Sequence, residues 1–194
     1  MKAIERNEIL PIGEYETIRP RFRARVIEAK KARRVQIGEH ISAVFENRDT
    51  VLLQIQEMLR TERITAEPAI LHEIETYNEL LPGEGQVSVT VFVEIPDKAT
   101  RDRMLVELAG LEDAIALVVD GARFPAWGPR PAGYTPGITT AVHYLKATLS
   151  PEAAAAVAGG RAKVALAVGH PKLEVRAELD RATLASLAED LKTT

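Results

Sequence analysis

Between Gln86 and Pro96 the apolar β-branched residues Val87, Val89, Val91, Val93 and Ile95 alternate with Gln86, Ser88, Thr90 and Glu94. Successive side chains on a strand point to opposite faces, so this run buries one side cleanly only as a strand within a sheet. The rest of the chain must therefore supply partner strands and an apolar cover. Partners are readable. Ile41, Ala43 and Phe45 alternate with His40, Ser42, Val44 and Glu46 in a segment from Val35 to Glu46 that can bend into a hairpin at Gly38. Ala114 to Val119, Ile138 to Leu149, Val164 to Val168, and the series Leu173, Val175, Ala177 and Leu179 have strand character as well.

Helical spacing accounts for most of what lies between. Tyr15, Ile18, Phe22, Val26 and Ala29 recur every three or four residues, and Pro20 predicts that the regular helix starts near Arg19 and Pro20, after a turn over Gly13 to Ile18. Leu52, Ile55, Met58 and Leu59 mark a second helix. Ile70, Ile74, Tyr77 and Leu81 mark a third, ended by Pro82-Gly83. Shorter helices run through Met104 to Leu108, Ala153 to Val157, and Leu184 to Leu191 after an Asp180 cap. The expectation is an α+β fold in which six to seven strands form an antiparallel or mixed sheet with helices packed mainly on one side. Residues 1–194 read as a single compact domain, helix-rich over 1–82 and strand-rich over 83–194. Asp120 to Gly137 is dense in glycine and proline and reads as a long loop. Its Arg123, Phe124, Trp127, Arg130 and Tyr134 suit either a lid or partner surface, or an inert loop with buried anchors.

Apolar residues at 46% and charged residues at 27% are those of a folded globular chain. The absence of cysteine excludes disulfides, thiolate nucleophiles, iron–sulfur ligation by cysteine and zinc–cysteine sites. Met1 to Leu10 mixes charged and apolar residues, unlike a signal peptide, and no uninterrupted apolar run is long enough to span a membrane. A soluble cytoplasmic protein is expected. The formal charge is −3, yet it is unevenly distributed: Arg19 to Arg34 is strongly basic and the remainder acidic. Arg21, Arg25, Arg33 and Arg34 are the candidates for holding an anion. Pairing with acids of this chain or of a second copy competes with that role, so nucleic acid is a disfavoured partner and homo-oligomerisation an expected one.

No dinucleotide fingerprint, phosphate-binding lysine loop or nucleophile elbow occurs, so no nucleotide cofactor is indicated. His40, His143 and His170 are the candidate ligands for a divalent metal, with Glu46 as a carboxylate partner on the His40 strand face. His143 shares its strand face with Leu145 and Ala147, which predicts an inward ring satisfied by a hydrogen bond or by a metal.

The stretch Phe45-Glu46-Asn47-Arg48-Asp49-Thr50-Val51-Leu52-Leu53-Gln54-Ile55-Gln56-Glu57-Met58-Leu59 resembles the hallmark of a bacterial family known only as a domain of unknown function. Tyr77 to Pro82, Ala141 to Leu145, and Gly169 to Pro171 are similar to it too. That resemblance implies a family often encoded near rubrerythrin-like and iron–sulfur proteins, and hence a setting in redox or peroxide metabolism with a redox-protein partner. It directs attention to Glu46, Asn47, Arg48, Gln54 and Glu57 as a polar site. The leading expectation is an accessory or binding protein. Metal-dependent chemistry and anion binding through the basic helix are the alternatives.

Overall fold

The computed structural model describes residues 1–130 and 134–192. Among these residues there are eight strands: β1 (Arg34–Gln36), β2 (Ile41–Glu46), β3 (Gln86–Val93), β4 (Ile115–Val119), β5 (Ala122–Trp127), β6 (Val142–Thr148), β7 (Val164–His170) and β8 (Leu173–Glu178). They follow the order β1-β2-β3-β6-β5-β4-β7-β8, and each neighbouring pair is antiparallel. The sheet curls into a nearly closed barrel. Its two ends approach each other where Gly38, in the β1–β2 turn, lies against Val175 of β8, so that an added Cβ would meet Val175 Cγ1 at 3.4 Å. Apolar residues from the inner face of every strand join one core, with Phe45, Val91, Leu117 and Leu166 at most 2% exposed.

The expected fold was six to seven strands in an antiparallel or mixed sheet with helices mainly on one side; the sheet is antiparallel, but it has eight strands, is nearly closed and carries helices on both sides. The eighth strand, β5, runs through the segment read as a loop. Pro125 disguises it. The first part of β5 pairs with β4 up to Pro125 and the last part pairs with β6 from Ala126, so the residue without an N–H sits at the changeover between ladders. Residues 131–133 of the expected loop lie outside the described residues.

The helices are α1 (Ile12–Lys31), α2 (Arg48–Thr61), α3 (Glu67–Asn78), α4 (Lys98–Glu107), α5 (Pro151–Ala158) and α6 (Arg181–Lys192). They occupy both sides of the sheet. Met104 and Leu105 of α4, Val157 of α5, and Leu184 and Leu187 of α6 join the inner core, whereas Val51, Ile55 and Leu59 of α2 meet Ile70 and Ile74 of α3 in a second core. A sheet that coils this far offers a concave face to one helix group and a convex face to the other. Helix α1 starts at Ile12, earlier than its proline suggests, and contains Pro20. An internal proline costs a helix about 3 kcal/mol. Burial of Tyr15 and Val26, with ion pairs from Arg19 to Glu57 and Arg60 to Glu16, holds the helix together across that defect. Among the described residues no helix is long and apolar enough to cross a membrane.

Candidate functional site

Because the odd-numbered residues of β3 and their neighbours fill the inner core, the even-numbered ones face outward. Register then sets a row across three strands: Glu46 of β2 opposite Ser88 of β3, and Ser88 opposite Lys146 of β6. Trp127 of β5 extends the row on the far side of Lys146. The adjacent row is Val44, Thr90 and Tyr144. The C-terminal part of α3 and the residues after it face these rows, and a cleft of about 570 Å³ remains between them. Tyr77 and Leu80 form one wall; Ser88, Tyr144 and Lys146 form the floor; Trp127, Gly128 and Pro129 close the side.

Several of these positions are fixed by identifiable causes. A Cβ on Gly128 would collide with the Tyr144 carbonyl, so only glycine lets the end of β5 pass this close to β6. Lys146 Nζ donates to the Leu81 carbonyl at 2.8 Å, tying the segment after α3 to the sheet. Burial draws the Lys146 ammonium below its ordinary pKa, and the nearby Glu79 carboxylate opposes that shift. Burial also pushes the Tyr144 hydroxyl up, reinforced by the charge of Glu46. Glu46 itself is 2% exposed; its Oε1 accepts from the Thr90 hydroxyl at 2.7 Å, while Oε2 has no partner among the described residues.

A smaller polar recess of about 200 Å³ shares Trp127, Gly128, Pro129 and Tyr144 with the cleft. There the Thr139 hydroxyl donates to Glu112 Oε2 at 2.8 Å and lies 3.2 Å from His143 Nε2. Arg130 pairs with both Glu112 and Asp113. Burial lowers the His143 pKa, with Glu112 acting against it, so the ring is neutral near pH 7 and its Nε2–H can serve the threonine oxygen. This chain of contacts pins the approach to β6 and the start of the 128–137 segment.

The residues singled out by sequence are placed differently from one another. Around α2, Asn47 caps the helix through the Thr50 N–H, Arg48 pairs with Glu8, and Glu57 accepts from Tyr15 and Arg19. Gln54 Oε1 is buried without a partner among the described residues. These side chains radiate from the helix to different neighbours and do not share a cavity; Glu46 alone is in the cleft-floor row. Of the histidines, His143 is buried in the recess. His170 is committed at both ring nitrogens, near the Ala109 carbonyl at 3.1 Å and the Lys172 N–H at 3.2 Å. His40 lies in the turn before β2 beside Glu39. Among the described residues no three His, Asp or Glu side chains converge as a metal site. Three of the four arginines are engaged: Arg25 with Asp49, Arg33 with Asp190, and Arg34 with Glu94. Arg21 is exposed on α1.

None of Tyr77, Ser88, Tyr144 and Lys146 was among the site residues expected from sequence, although Tyr77 and Tyr144 lie in segments that resemble the family. Alternation does assign Ser88, Tyr144 and Lys146 to outward faces, which ordinarily means solvent. The missing information is the approach of α3, which is a long-range contact.

Fold and cleft together define an α+β protein with a nearly closed antiparallel barrel and an aromatic-walled cavity on its convex side. The chain belongs to the family described as "Protein of unknown function (DUF3501)", which it matches over residues 3–191. It is similar to a crystal structure of a novel protein of unknown function from Burkholderia pseudomallei, at 33% identity and a TM-score of 0.91, over 98% of this chain and 100% of that one. No curated protein matches it. The resemblance read in the segment from Phe45 to Leu59 is thus to a family whose function is unassigned.

Proposed function

We propose that the protein binds a small, largely apolar molecule in the cleft between α3 and the outer face of β3 and β6. The cavity of about 570 Å³, faced by Tyr77, Leu80, Tyr144 and Trp127, carries this reading. Concave sites of that size with mostly apolar walls and few polar groups are the usual form of ligand sites. Aromatic surfaces left open to water at a cleft gain by being covered; Trp127 is 61% exposed and Tyr144 40%. Binding is the reading that the mostly apolar, aromatic walls of the cleft support. Self-association and a redox-protein partner stay part of the proposal as its setting, and the cleft is its basis.

Trp127 is the chain's single tryptophan, which makes the cleft observable in solution. Titration with the uncharged probe 1-naphthylmethanol should give a saturable change in tryptophan emission, and Tyr77→Ala should weaken it several-fold. A linear, non-saturating response in the wild-type protein would refute ligand binding at this site.

A further inference from the structure

We infer that the ligand of this cleft is an aromatic carboxylate whose carboxylate group is received by Lys146 and Ser88. This deepens the binding reading above and rests on it. Among the described residues two charged side chains line the cleft, Lys146 on the floor and Glu79. Glu79 is exposed at the end of α3, where water screens its field, whereas Lys146 is half-buried. The ammonium has three N–H donors and spends one on the Leu81 carbonyl, which holds the amine in place and leaves two. Ser88 is opposite Lys146 in the β3–β6 register, on the same face, and is 3% exposed. Its side chain lines the cleft, and its hydroxyl is a second potential donor beside the first. Directly opposed residues on antiparallel strands have Cβ atoms roughly 5 Å apart, so both donors spring from neighbouring positions on the cleft floor.

The competing acceptor is Glu46 Oε2, on the other side of Ser88 and without a partner among the described residues. Lys146 therefore carries the larger share of the recognition and Ser88 the smaller. Two donors with one positive charge suit a monoanion; a phosphate would be served better by arginine forks or several backbone N–H groups. Tyr77, Tyr144 and Trp127 supply flat surfaces for an aromatic ring. The exposed Glu79 compensates the half-buried ammonium only through water-screened charge, and a bound carboxylate adds a direct counter-charge that an alcohol or an amine cannot.

Three probes of one shape separate the possibilities: 1-naphthoate, 1-naphthylmethanol and 1-naphthylmethylamine, each titrated by calorimetry and by Trp127 emission. The wild-type protein should prefer the carboxylate over the alcohol by about 10-fold or more, the worth of one charge-assisted hydrogen bond, and bind the amine most weakly. Lys146→Met should erase that preference while changing alcohol affinity less than about 2-fold, and Lys146→Arg should keep most of it. Ser88→Ala should reduce it partially. Equal affinity for the three probes in the wild type, or a preference that survives in Lys146→Met, overturns the inference while leaving the cleft a binding site. Failure of all three to bind overturns both. The wild-type comparison decides the matter even if Lys146→Met does not fold, and thermal melts identify that case.

Discussion

Glu57 shows how one residue couples α1 to α2. Its carboxylate accepts from Arg19 at 2.7 and 2.8 Å and from the Tyr15 hydroxyl at 2.6 Å. The Arg19 hydrogen bond is the main cause that draws its pKa from the ordinary 4.5 to about 2, burial working against it. A carboxylate whose pKa is depressed by folding contributes stability that is fully present above the unfolded value and lost as pH falls through the folded one. The contribution should thus fade between about pH 4.5 and pH 2. Partial exposure of the pair limits it to about 1–2 kcal/mol. Urea denaturation across that range should show Glu57→Gln less stable than wild type at neutral pH and nearly equal to it at pH 2. A gap that persists unchanged at pH 2 would mean that the charge is not the cause. The family resemblance gave this residue prominence as part of a polar site, but its role is to lock two helices, since its partners come from a helix whose start Pro20 concealed.

At the scale of elements, the short strand β1 and the last helix depend on one buried cation. Arg33 is 3% exposed; its Nε donates to the Phe45 carbonyl at 2.8 Å, and its guanidinium pairs with Asp190 and Ser186 of α6. Removing one member of a buried ion pair leaves the other charge uncompensated, which typically costs several kcal/mol. Arg33→Met should destabilise the protein by about 3 kcal/mol, well above the effect of Arg21→Met on the exposed side of α1, as measured by chemical denaturation. Equal effects would contradict the clamp. The basic run was legible as a cluster of charge; that Arg33 departs inward could not be read, because its side-chain partners in α6 are more than 150 positions away. The same distinction applies to the strands. β3 and β6 announce themselves by alternation, whereas β5 is hidden because Pro125 serves a strand that changes partners.

At the scale of the whole molecule, alternation correctly separated the inner apolar face from an outer face bearing Ser88, Tyr144 and Lys146. It could not tell water from a covering helix. The cleft exists because a convex face of the barrel, already polar enough to be read as exposed, meets α3 at Tyr77 and Leu80 and leaves room between them. The strand that Pro125 hides, β5, sits between β4 and β6 in the sheet that brings β8 around to the β1–β2 turn at Gly38 and Val175. The claim on which the functional account depends is that this space receives a ligand. Crystals of the protein soaked with 1-naphthylmethanol test it most directly. The account predicts ring density between Tyr77 and Tyr144, next to Trp127; an empty cleft in crystals whose soaked probe occupies a different surface would contradict it.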